Sequence, residues 1–127
     1  MIGVFCGAPL NQIDDDAALA AAFNESKIAA HLSRAMSRRL AVSFVYDGKN
    51  RVVEVHAIGR STKDGSLVVR GFQVAGEASR PLPQWTLFTI SKIEALTLTF
   101  IDSEAPRDGY TMNDKQMQQP VLSQLAV

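Results

Sequence analysis

The side chains best suited to chemistry cluster between Val52 and Phe72, VVEVHAIGRSTKDGSLVVRGF, where Glu54, His56, Arg60 and Arg70 interrupt two apolar runs. Alternate residues of a strand share a face, so Glu54, His56 and Ile58 point one way. On the next strand Val68, Arg70 and Phe72 do the same. If the two strands pair, Glu54, His56 and Arg70 form one polar patch beside the Phe72 ring. Such a patch offers a cationic fork for phosphate and a ring on which a base can stack. The same residues also fit a cross-strand Arg70–Glu54 ion pair with His56 as a neutral bystander.

Catalysis and metal binding have little support elsewhere. Cys6 is the lone cysteine, and neither His31 nor His56 belongs to a nucleophile–base motif. Two histidines without a spaced carboxylate pair do not make a metal site, and no cofactor is expected. No glycine-rich loop precedes a helix, so a P-loop and a dinucleotide fingerprint are both missing. The expectation is a protein that is not an enzyme.

Charge is unevenly distributed along a chain whose net charge is zero. From Lys27 to Lys92 there are eleven basic side chains and four acids, a balance of +7 offset by −7 in the two flanks. A basic centre suits an anionic ligand such as a phosphate compound or nucleic acid, although a solvated surface with acidic tails has the same composition. The 127 residues are enough for one domain with its own core. A single cysteine excludes an internal disulfide and fits a reducing compartment. The opening MIGVFCGAPL lacks a basic n-region and runs into Asp14-Asp15-Asp16, so a secretory signal is not expected. No stretch approaches the roughly 18 apolar residues needed to span a bilayer. A cytoplasmic protein with no membrane association is expected.

The elements that must position these side chains follow from periodicity. Residues 1–13 show no usable period and are expected to be a flexible arm. Residues 14–39 are expected to be helical, with acids in the first turn and an apolar stripe of Ile28, Leu32, Ala35 and Met36. Asn24 leaves open whether this is one helix or two. From Leu40 the period becomes two, and Asp47-Gly48 is a hairpin turn signal. Strands are expected at 40–46, 51–58, 67–74, 86–90 and 96–100, the last alternating Leu96, Leu98 and Phe100 against Thr97 and Thr99. The connection AGEASRPLPQ holds two prolines and cannot be inner strand. A helix followed by five short strands predicts an α+β protein, mainly β, built on a small, strongly bent antiparallel sheet or barrel. Residues 102–127 form a C-terminal extension in which MNDKQMQ and VLSQLAV are expected to be short helices.

The order of SRAMSRRLAVSFVYDGKNRVVEVHAIGR, GSLVVRGFQV and LFTISKIEALTLT resembles the WYL domain, a bacterial and phage regulatory module. The resemblance covers about residues 33 to 100. Tyr46 corresponds to the first-strand Tyr, Arg51 with Val53-Glu54 to the second-strand motif, and Phe88 through Lys92-Ile93 to the Phe-to-Arg-Ile block. Val55 stands in place of the motif's Pro, Thr89 and Lys92 in place of its two Arg, and Ser66-Leu67-Val68 near the name-giving triplet, without its Trp and Tyr. The resemblance implies a five-stranded SH3/Sm-like barrel over 40–101, in a stand-alone member of the family without the usual DNA-binding domain. It also implies a regulatory or sensor module for a nucleotide or single-stranded nucleic acid, with a role in transcription regulation. Arg51, Arg60, Arg70 and Lys92 would supply charge, His56 a hydrogen bond, and Phe72 or Trp85 a stacking surface. Tyr46, Glu54 and Phe88 would be structural. The alternative is a protein–protein interaction or self-assembly module, a homodimer for example, using Val121, Leu122, Leu125 and Val127.

Overall fold

The computed structural model describes residues 9–127, with side chains from Asp16 onward. Residues 1–8 of the expected arm, including Cys6, lie outside the described residues. A single helix, α1, spans Pro9–Arg38. It starts five residues earlier than the acidic triplet suggested, with Pro at its first position, where a missing N–H costs nothing. Asn24 does not interrupt it. The helix stops at Arg39, which turns to φ 58° and donates its N–H to the Met36 carbonyl at 3.2 Å.

Six strands follow: β1 Leu40–Tyr46, β2 Lys49–Arg60, β3 Leu67–Gly76, β4 Gln84–Thr89, β5 Glu94–Asp102 and β6 Ser123–Gln124. A single 3-10 turn, Ile90–Lys92, separates β4 from β5. The hairpin between β1 and β2 closes as Tyr46↔Lys49, with φ of 53° at Asp47 and 71° at Gly48. Two positive φ values in a two-residue loop match the twist of the flanking strands. The sheet is antiparallel in the order β4-β3-β2-β1-β5, with β6 added against β2. β2 is long enough for two partners on one side: β1 along its first half and β6 at Ala57 and Ile58. The result is an α+β fold with an open sheet, in which β4 and β5 are the two edges and do not pair with each other.

The core lies between α1 and the sheet. Leu32, Ala35 and Met36 pack on Val42, Phe44, Val53, Val55, Phe88 and Ile90. Phe44, Tyr46 and Phe88 meet edge to face, with centroids 4.9 to 6.4 Å apart. Tyr46 also accepts the Thr89 N–H through its hydroxyl at 3.1 Å, which ties β1 to the end of β4. The apolar set of β5 is not buried as its alternation suggested: Leu98 is 41% and Phe100 99% exposed. β5 is an edge strand whose pairing with β1 is interrupted by two register shifts, and of Leu96, Leu98 and Phe100 only Leu96 packs against the core.

Residues 103–127 contain no helix, contrary to the expectation for MNDKQMQ and VLSQLAV; apart from the two residues of β6 they are turns and irregular chain. This segment is nevertheless built into the domain. Ser103 donates its N–H to the Arg39 carbonyl at 2.9 Å, Gln118 donates to Arg60 at 2.7 Å, and Leu125 donates to His56 at 3.0 Å. Tyr110, Met117 and Leu125 are buried. No described helix is long and apolar enough to cross a membrane.

Candidate functional site

The polar side chains of β2 are not on a wet face. Every residue from Val53 to Gly59 is buried, because the C-terminal segment covers the face that α1 leaves free. Glu54 pairs with Arg107 of that segment rather than with Arg70. Its carboxylate accepts Arg107 Nε at 2.7 Å and Nη2 at 3.1 Å, and also the Glu104 N–H at 3.0 Å. Burial pushes the Glu54 carboxyl up, but the Arg107 fork, the Glu104 amide and nearby positive charge outweigh it and hold it below the ordinary value.

His56 is fully buried and accepts the Arg107 backbone N–H at Nε2, 3.0 Å away. An amide can only donate, so Nε2 is the bare nitrogen and Nδ1 carries the proton. Nδ1 donates to the Glu54 carbonyl at 3.0 Å. Burial lowers the imidazole pKa, the Glu54 carbonyl and carboxylate partly oppose this, and the Arg107 charge adds to it; the balance favours the neutral ring. With both nitrogens engaged, His56 is a structural group that fixes the path of the tail.

Next to this network lies a cavity of about 630 Å³ between the β3–β4 pair and the tail, lined by Arg70, Trp85 and residues 109–116. Phe72 and Trp85 are directly opposite in the β3–β4 register, with ring centroids 4.9 Å apart. Trp85 also touches His56 at 4.6 Å and lies nearly parallel to Tyr110, at 26° and 6.4 Å. Tyr110 is held by donating its hydroxyl to the Leu125 carbonyl at 2.8 Å. At the rim Arg70 donates Nε to Asp114 at 2.7 Å and Nη2 to Gln116. Burial raises the Asp114 carboxyl, and the Arg70 fork and the Gln116 amide more than reverse that. Lys115 is exposed on the same rim.

Of the residues picked out in the sequence, the structure brings Arg70 and Trp85 to this cavity, with Phe72 and His56 packed against the indole behind it. The others are elsewhere. Arg51 is buried: it donates to the Gln73 side chain at 3.1 Å and to the Tyr46 carbonyl at 3.2 Å. Its guanidinium lies 5.7 Å from the Tyr46 centroid and 5.8 Å from that of Phe88. No carboxylate pairs with it among the described residues, and its Nε has no partner. Arg60 is exposed and donates to the Gly65 carbonyl at 3.0 Å, and Lys92 is exposed on the 3-10 turn. The single patch of Glu54, His56 and Arg70 does not form. A register shift between Val55 and Ala57 sets Arg70 opposite Ala57, and the tail supplies both ions their partners.

Arg107, Tyr110 and Asp114 are the site residues that sequence reasoning did not single out. One signal was present: Glu54 sits in an apolar strand and needs a cation, and Arg107 and Lys115 are the only two basic residues after Lys92. Among the described residues no group of three or more His, Cys, Asp or Glu side chains is placed to hold a metal ion. Comparison with known proteins gives no match to a family model, a curated protein or a solved structure.

Proposed function

We propose that the chain is a WYL-like, non-catalytic regulatory module of the cytoplasm that binds a nucleotide or single-stranded nucleic acid in the Trp85–Tyr110 cavity. The observation that carries this reading is the combination of two near-parallel aromatic rings with a rim bearing Arg70, its partner Asp114 and Lys115, in one space of about 630 Å³. That volume is within the roughly 300–1,000 Å³ usual for small-ligand sites. A base would stack against Trp85 and Tyr110, and Arg70 and Lys115 would face its phosphate. Arg70 would then exchange part of its bond to Asp114 for a phosphate oxygen, a planar fork being suited to either anion. The open sheet is read as a distorted SH3/Sm-type barrel. Its first strand already pairs with both the second and the fifth, which is the step that curls a meander toward closure.

Titration with nucleoside monophosphates and short oligonucleotides at low salt tests the proposal. Saturable binding that weakens with added salt and with Arg70→Ala is expected. Lack of binding to either ligand class at low salt refutes it. The rival, assembly through the C-terminal segment, has less to stand on: Leu125 is buried and Val121 half-buried against their own domain, which leaves Leu122 and Val127 exposed.

A further inference from the structure

The outer face of α1 has no role in the fold or in the ligand cavity. The side facing the sheet is the Ile28–Leu32–Ala35–Met36 stripe, and only the C-terminal half of the helix reaches the sheet. From Asp16 to Asn24 every residue is exposed, including Leu19 at 59% and Phe23 at 63%. Advancing about 100° per residue, Asp16, Leu19, Phe23, Ala30, Arg34 and Arg38 fall on one side of the helix, roughly opposite the core stripe. A projecting half-helix of this length is marginal in water without something to pack on.

We propose that this face joins two copies of the chain as an antiparallel, two-fold helix pair. The charge along the face selects that arrangement. Asp16 is at one end, the apolar Leu19 and Phe23 follow, and Arg34 and Arg38 are at the other end. Reversing a second copy sets Phe23 against the partner's Arg34 and Leu19 against the partner's Arg38. Asp16 then lies within a turn of that same arginine. Two-fold symmetry makes each contact twice. A parallel pair would instead place like charges together at both ends. Ala30 falls opposite Lys27 near the axis, and its small side chain leaves space for the lysine stem. The receiving surface is already concave: a groove of about 380 Å³ between α1 and β5 is lined by His31, Arg34, Arg38, Val42, Leu96 and Leu98. The partner's Phe23 would enter this groove between arginine stems, an arrangement that suits an aromatic ring on both apolar and cation–π grounds. From Asp16 to Arg38 the helix runs about 33 Å, long enough for such a contact.

The test is sedimentation equilibrium and light scattering on the full chain at micromolar concentrations. The wild type is expected to be a dimer, and Phe23→Asp a monomer with unchanged Trp85 emission, its circular dichroism losing at most the helical signal of the projecting half of α1. Asp16→Lys sets a cation against Arg38 at two symmetry-related places and should raise the dissociation constant roughly tenfold, with Asp16→Lys/Arg38→Glu restoring it. The proposal is overturned by a monomeric wild type or by a dimer that survives Phe23→Asp. It is equally overturned if the double variant stays as weak as Asp16→Lys, or if Phe100→Ser on the β5 edge abolishes the dimer while Phe23→Asp does not.

Discussion

Replacing Arg107 with Met removes one partner from a nearly buried ion pair while keeping a side chain of similar reach over Phe72. Glu54, 3% exposed, would lose both bonds of the guanidinium fork and keep only the Glu104 N–H. Breaking a buried pair from one side costs about 3–5 kcal/mol, because the remaining charge is left without compensation. Arg107 is 28% exposed, so water can partly replace it, which favours the low end, about 3 kcal/mol. With a urea slope of about 1.5 kcal/mol/M, the midpoint should fall by about 2 M. Trp85, the only tryptophan, is beside the network and reports the transition by fluorescence. The pH dependence carries a sign as well. In the wild type the folded pKa of Glu54 is depressed, so its stabilisation is present above the ordinary value of 4.5 and is lost as pH falls through the folded value. In the variant burial dominates and the folded pKa is raised. The deficit should therefore shrink as pH falls through that raised value toward 4.5. Glu54→Gln combined with Arg107→Met should recover at least about 1 kcal/mol of the loss. A cost below about 1 kcal/mol at neutral pH, or a deficit independent of pH, would refute the assignment of this pair as the anchor of the tail.

Two further outcomes follow from the same structure. His56 is held neutral with its folded pKa below the ordinary 6.5, so the unfolded chain takes up the proton first as the medium is acidified. Stability is full above pH 6.5 and falls as pH drops through the folded value; His56→Gln, measured by urea denaturation from pH 7 to pH 5, should flatten that limb. Gly76 closes β3 at φ 90°, where an added Cβ would collide with the Asn50 carbonyl oxygen. Gly76→Ala should cost more than about 2 kcal/mol by thermal or chemical denaturation, and a cost near zero would contradict the backbone described for this turn.

The sequence made the local elements legible and left the long-range partners hidden. Leu32, Ala35 and Met36 form a helical stripe, and Asp47-Gly48 marks a turn, because each depends on neighbours a few residues apart. The strand alternation located β1 to β5 within a few residues at their ends. It did not reveal that β5 is an edge, since Leu98 and Phe100 read alike whether buried or exposed. Glu54 and His56 looked like residues of a wet face because the segment that covers them lies some fifty residues later in the chain. Burial by an irregular tail has no period, so beyond the scarcity of cations after Lys92 nothing in 103–127 marks Arg107 or Tyr110 as belonging to the β2 face. The basic count between Lys27 and Lys92 was similarly uninformative about place: Arg51 is in the core, Arg70 is paired with Asp114, and Arg34 and Arg38 border a different groove.

The most direct test of the ligand reading uses Trp85 itself. Titrating the protein at low salt with a nucleoside 5′-monophosphate, and separately with the same nucleoside lacking phosphate, follows both features of the cavity in one signal. Stacking on the indole should quench its emission saturably with both compounds. The monophosphate should bind more tightly, and Arg70→Ala together with Lys115→Ala should abolish that advantage. Unchanged Trp85 emission with either compound up to millimolar concentration would contradict the assignment of this cavity as a nucleotide site.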